Sequence, residues 1–186
     1  MTNSSEDSVG TAPILGAAER ELLLETWNST DQPYPDNTCL HQLFEDQVEL
    51  SPEAIAIVHG ERTITYGELN AYANQIARQL LDAGVKPGDY VMLLLDRSID
   101  LVASEIAVLK TGAAYVPIDT NAPIDRQAYI ASDCRSTVII TDNCRDIPTE
   151  FQSKTVLRVG ALQMHSVDVQ DHFERPMKSS FDPAYV

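Results

Sequence analysis

Six apolar residues in a row, "YVMLLL" at Tyr90 to Leu95, followed by Asp96, constrain this chain more than any other feature in it. A surface helix keeps a polar stripe and a half-exposed strand alternates. An unbroken apolar run this short, bounded by Gly88 and Arg97, reads instead as a strand covered on both faces. Such strands belong to parallel sheets with helices packed above and below.

The neighbouring sequence has the matching elements. "STVIIT" at Ser136 to Thr141 and "KTVLRV" at Lys154 to Val159 are further strands, as is Ala113 to Ile118. Between them, Ser98 can cap a helix from Ile99 to Lys110, and a second helix fits Ile124 to Ser132. Gly112 separates the first helix from its strand and can take the left-handed conformation that ends a helix. Upstream, Ala54 to Val58 and Thr63 to Thr65 form a hairpin around His59, Gly60 and Glu61. Thr65 and Glu68 have the spacing of a capping box. Leu69, Tyr72, Ala73, Ile76, Ala77, Leu80 and Leu81 then keep helical period until Gly84, with Pro87 preventing resumption. Strands alternating with helices predict an α/β fold with a mainly parallel sheet.

The first 53 residues differ in character. They hold eleven acidic residues against Arg20 alone, which accounts for most of the net charge of -15. Residues 1–13 read as an acidic disordered tail. Residues 14–38 read as a linker with one docking helix, Leu15 to Trp27, apolar at 15, 18, 22, 23, 24 and 27, broken by "NSTDQPYPDNT". A helix from Leu40 to Leu50 follows, with Leu40, Leu43, Phe44, Gln47 and Val48 on one side. Residues 39–186 form the remaining domain, in which 161–186 read mostly as loop. "FDPAYV" at 181–186 nevertheless resembles the first half of a strand.

Composition limits the function classes. The chain is 186 residues long, 44% hydrophobic and 22% charged, an ordinary globular composition. Its acidity and scattered basic residues argue against nucleic-acid or anionic-membrane partners. Cys39, Cys134 and Cys144 form no CxxC pair, so three free thiols in a reducing compartment are expected. No secretory, mitochondrial or membrane-spanning pattern is legible, which places the chain in the cytoplasm.

Motifs that carry chemistry are scarce. No two glycines are spaced as GxG, and there is no phosphate loop, HExxH or GxSxG. His165 and His172, with Asp168 and Asp171 between them, read as solvated polar residues rather than metal ligands. Asp96 and Asp119 end strands, where ligands gather in parallel α/β sheets. The competing reading is that Asp119 or Thr120 caps the turn into the helix beginning near Pro123, and it is the one favoured. Arg97 is either an anion contact or a surface charge.

The same residues carry a family likeness. "ITYGELN" at 64–70 and "LKTGAAYVPID" at 109–119 resemble the first and second core motifs of nonribosomal peptide synthetase adenylation domains, with Thr111 where Ala is more usual. "GVKPGDYVMLLLDRS" is similar to the family's Gly-x-x-Pro-Gly-Asp stretch, and "WNSTDQPYP" at 27–35 to the segment joining a condensation to an adenylation domain. "NAPIDR" at 121–126 departs by lacking the Tyr common before the Pro. The resemblance implies an adenylate-forming fold, present as an incomplete N-terminal portion. For a complete domain it implies amino-acid activation with ATP and Mg, and other synthetase domains or chains as partners. The family's phosphate loop, ribose-binding Asp and catalytic Lys follow "AYV", so the resemblance assigns no catalytic, cofactor or metal residue before Val186. It makes Tyr66, Glu68, Leu69, Lys110, Gly112, Tyr115, Pro117 and Asp119 structural motif residues. The expected function is thus a truncated adenylation-domain fragment inactive alone. The alternatives are an interaction protein for another synthetase chain and an independent ligand-binding module near Asp96 and Asp119.

Overall fold

The computed structural model describes residues 15–33, 35, 37–160, 173, 183 and 184. The chain divides into two compact units, Met1–Pro35 and Asp36–Val186.

In the first unit, α1 (Ala17–Glu21) runs directly into a π-type turn at Leu22–Thr26. There the Trp27 N–H reaches back five residues to the Leu22 carbonyl at 3.0 Å. The Asn28 side chain ends the turn by donating to the carbonyls of Leu23 and Leu24 at 2.9 and 3.1 Å. The sequence predicts a single regular helix from Leu15 to Trp27. Three consecutive leucines spread around the helix and define no narrow stripe, so regular spacing is not enforced. Leu22, Leu24 and Trp27 are all exposed.

The second unit begins with α2 (Leu40–Leu50), then a hairpin of β1 (Ile55–His59) and β2 (Arg62–Thr65), then α3 (Tyr66–Asp82). The hairpin is antiparallel, with Gly60 at φ +61° in its turn. The capping box forms as expected: the Glu68 N–H donates to Thr65 Oγ1 at 3.2 Å, and the Thr65 N–H to Glu68 Oε2 at 2.9 Å. Gly84 closes α3 at φ +88°.

Next come β3 (Tyr90–Leu94), α4 (Ile99–Lys110), β4 (Ala114–Pro117), α5 (Ile124–Asp133), β5 (Val138–Asp142), a 3₁₀ turn at Thr149–Phe151, and β6 (Thr155–Val159). Four strands form one parallel sheet in the order β4-β3-β5-β6. Both faces of it are covered. Val91, Leu93, Val138, Ile140, Leu157 and Val159 pack with α3 and α4. Met92, Leu94, Val116, Ile118 and Ile139 pack on the other side with Ala131 and Phe151. Odd and even residues of β3 thus enter different cores, which is why the sequence there shows no alternation. Each fully buried Leu, Ile or Val contributes about 1.5–3 kcal/mol.

The expected face of α2 forms in part. Val48 is buried and Phe44 packs against the core, but Leu40 and Leu43 are exposed and His41 is buried instead. Glu45 also turns inward, where it meets a buried cation described below. Among the described residues no helix is long and apolar enough to cross a membrane. The expectations about 161–172 and 174–182, including His165, Asp168, Asp171 and His172, lie outside the described residues.

Candidate functional site

The chain leaves β3 toward β4 on one side and later places β5 on the other, so the sheet order reverses between β3 and β5. In such sheets the crevice beyond the carboxyl ends at the reversal is the usual ligand site. Here it is lined by the loops after β3 and β5, and a side-chain network fills it. Arg145 Nη2 donates to Asp96 Oδ2 at 3.0 Å, and Arg145 Nε to Asp142 Oδ2 at 3.2 Å. The Thr120 hydroxyl donates to Asp96 Oδ1. Arg158 Nη1 donates to the carbonyls of Asp142 and Arg145, both at 2.9 Å, and the Cys144 N–H donates to Asp142 Oδ1 at 2.9 Å. Both oxygens of Asp96 are therefore engaged, and so is the guanidinium beside it. The network links residues at or just beyond the carboxyl ends of all four strands, β3 to β6, and among the described residues its acids and bases are bonded to one another.

Asp119 closes its own turn. Its Oδ1 accepts the Asn121 N–H at 2.9 Å, and its carbonyl accepts the Ala122 N–H at 3.1 Å. It does not cap α5, and neither does Thr120. The N-cap is Pro123, and the turn before it is held by Gln127, whose amide donates to the Ala122 carbonyl at 2.9 Å. Pro123 fixes the extended entry that a side-chain cap would otherwise secure. Arg97 is exposed.

Lys110, in the last turn of α4, is 1% exposed. Its ammonium is ion-paired with Glu45 of α2 and donates to Asn70 Oδ1 of α3 at 2.8 Å. A buried charge is tolerable only when paired and hydrogen-bonded, and this one ties three helices together. Nothing in the local sequence marks Glu45 as its partner. The one local sign is a lysine following the apolar run Ile106 to Leu109.

Most of the other motif residues also face inward or bond to the backbone, whereas Pro117 is exposed. Tyr66 opens α3, its N–H donating to the Ala54 carbonyl at 2.9 Å and its ring tilted against Phe44 with centroids 6.0 Å apart. Leu69 is in the core. Gly112 has φ +77°, and a Cβ there would lie 3.1 Å from Pro87 Cβ. Its carbonyl accepts the Gly88 N–H at 2.9 Å, so the join between α4 and β4 is clamped to the turn before β3. Tyr115 pairs with Val91, and Pro117 with Leu93.

A third lock was not legible. The Tyr72 hydroxyl donates to Asp100 Oδ1 at 2.7 Å and accepts the Gly160 N–H at 3.1 Å. Burial, then the hydrogen bond and charge of Asp100, push the Tyr72 hydroxyl far above the usual phenol range, so it stays a donor. At the opposite end of the sheet, Gly88, Asp89, Tyr90, Cys134, Arg135 and Thr137 line an open cleft of about 240 Å³. Asp89 is already used there, accepting the Lys86 N–H at 2.8 Å.

A triphosphate with its metal needs converging amide donors, a cation and free carboxylates. The described residues do not fit it. Their strand-end carboxylates are engaged with Arg145 and Thr120, and among the described residues no group of His, Cys, Asp and Glu could hold a metal.

The model of the AMP-binding enzyme family matches residues 44–185. Malpibaldin synthetase of Mortierella alpina is 50% identical over 182 residues, covering 94% of this chain and 3% of the synthetase. Bacitracin synthase 3 of Bacillus licheniformis is 40% identical over 157 residues, covering 84% of this chain and 2% of that synthase. Among solved structures, the nonribosomal peptide synthetase FmoA3 superposes with a TM-score of 0.75 at 29% identity, over 94% of this chain and 18% of that one. The Klebsiella oxytoca NpsA N-terminal subdomain gives 0.69 at 25% identity, over 81% and 38%. The chain thus spans a few hundredths of the length of these two synthetases from Mortierella and Bacillus.

Proposed function

The chain belongs to the AMP-binding enzyme family and corresponds to part of the N-terminal region of a nonribosomal peptide synthetase adenylation domain; on that premise we propose that it serves as framework for amino-acid activation, without a reaction centre of its own. The observation that carries this reading is Lys110. The cation in the best-matching motif is enclosed and spent on Glu45 and Asn70, so the motif holds helices together and contacts no substrate. Tyr66, Glu68, Leu69, Gly112, Tyr115, Pro117 and Asp119 act in the same way, as packing, capping and turn residues. ATP and Mg would be bound, and the aminoacyl adenylate formed, by parts of a complete domain other than these. The test is ATP–pyrophosphate exchange by the purified chain across the proteinogenic amino acids. No exchange above buffer is expected, and amino-acid-dependent exchange contradicts the proposal.

A second reading, that residues 14–38 connect to another synthetase domain or chain, is favoured by the exposed Leu22, Leu24 and Trp27. Clustered large apolar residues on an otherwise acidic segment are the kind of surface a partner covers. Chemical crosslinking of the chain with a neighbouring synthetase domain should then map to residues 15–33, and crosslinks confined to other residues contradict it. The ligand-module alternative has little support, because Asp96 and Asp119 are already engaged within the fold.

A further inference from the structure

The open cleft at the amino ends of β3 and β5 carries two opposite charges that do not pair with each other, a feature independent of the functional reading above. Its inner wall is apolar, because Tyr90 and Cys134 pack against the core that contains Met92, Ala131 and Ile139. Asp89 and Arg135 supply the charges. Among the described residues the Arg135 guanidinium has no ion pair or hydrogen bond, and Asp89 commits one carboxylate oxygen, to the Lys86 N–H at 2.8 Å. The Tyr90 and Thr137 hydroxyls are likewise without a partner among the described residues. Close by, the carbonyls of Ala131 and Ser136 are taken by the Lys154 ammonium.

The backbone gives no reason for an arginine at this position. Arg135 has φ +52°, and among the described residues no other non-glycine has a positive φ. It follows the last turn of α5, where its N–H returns to the Ser132 carbonyl at 3.1 Å. Glycine is the residue that such a helix end favours, since it has no Cβ to crowd the left-handed conformation. A non-glycine held there is a feature that clusters at ligand sites. A cation at a helix C-terminus also gains from the dipole, an effect that needs no ligand and that the experiment below separates.

The two charges select the ligand. A simple anion would meet the Asp89 carboxylate as well as Arg135, in a chain of net charge -15, and a simple cation would meet the guanidinium. A zwitterion satisfies both, and the apolar wall takes its hydrocarbon or aromatic body. About 240 Å³ admits a molecule of amino-acid size. We propose that this cleft binds a free amino acid with an apolar side chain, its carboxylate on Arg135, its ammonium on Asp89 and its body against Tyr90 and Cys134.

The probe is L-phenylalanine, titrated into the full chain without ATP while backbone amide resonances are followed by NMR. Saturable shifts are expected at Asp89, Tyr90, Arg135 and Thr137, with a Kd of about 1–10 mM, as suits a small ligand in an open site. Hydrocinnamate, which lacks the ammonium, and phenethylamine, which lacks the carboxylate, should each bind at least about tenfold more weakly. Arg135→Gly should weaken L-phenylalanine binding by at least about tenfold and leave Tm undiminished, because glycine suits the left-handed position. Asp89→Asn keeps an acceptor for the Lys86 N–H while removing the charge, and should weaken binding to a similar extent, which gives a second reading if Arg135→Gly does not fold. Shifts that never saturate or that fall only at other residues, equal binding of the singly charged analogues, or affinity unchanged by the variants overturns the proposal and leaves Arg135 to the dipole of α5.

Discussion

Lys110 is a buried cation whose removal carries a large energetic consequence. Removing one member of a buried ion pair leaves the other uncompensated, which costs about 3–5 kcal/mol. Glu45 is only 17% exposed, so Lys110→Met should destabilise the chain by that order in urea denaturation. Adding Glu45→Leu should recover most of the loss, since apolar replacement of a whole buried pair is often neutral. If the double variant is no better than the single, the pair is not the source of the cost. Glu105 on α4 behaves oppositely, because burial raises its pKa. The folded state then binds the proton more readily than the unfolded chain. Its contribution is fully present below the unfolded carboxyl pKa and is lost as pH rises through the raised folded value. Glu105→Gln should therefore raise Tm at about pH 8, with a gain that shrinks as pH falls toward about 5. A gain independent of pH would assign the effect to packing instead of charge.

Elements with strong periodicity or clear punctuation were legible. The helix at Ile99–Lys110 matches its expectation residue for residue, and the strands differ by one or two residues at their ends. Those differences arise because an apolar run extends past the ladder into the connecting turn, as Leu95 does after β3. What failed was what depends on a distant partner. In α2 the inward turn of Glu45 follows from Lys110, so a reading of its apolar residues placed Phe44 and Val48 correctly but also put the exposed Leu40 and Leu43 on the buried side. The engagement of Asp96 by Thr120 and Arg145 joins loops far apart in sequence, and no local pattern encodes it. Gly112 lies between these cases. Its helix-ending role was readable, but its contact with Pro87 was not. Gly112→Ala meets two costs, a left-handed conformation at about 1–2 kcal/mol and a Cβ 3.1 Å from the Pro87 ring. The ring cannot retreat freely, because the Gly88 N–H is bonded to the Gly112 carbonyl. A loss of at least about 2 kcal/mol is expected in urea denaturation, and a loss under about 0.5 kcal/mol would show that the join is slack.

At the scale of the whole molecule, the α/β class followed from a few unbroken apolar runs, whereas the absence of a nucleotide cradle from the described region follows from how its polar groups are spent. Arg145 and Arg158 hold loops, Lys110 holds helices, and Asp96, Asp119 and Asp142 accept from neighbours. A net charge of -15 opposes approach of a triphosphate further. Thermal stability measures this directly, because any ligand bound by the folded state alone raises Tm. At one hundred times its dissociation constant, a ligand stabilises by about 2.7 kcal/mol, which in a chain of this size corresponds to roughly 5–10 °C. With ATP and magnesium at several millimolar, the Tm of this chain should move by less than about 1 °C. A magnesium-dependent rise of several degrees would require donors and a cation that the described network has already committed, and would place a nucleotide site in this chain.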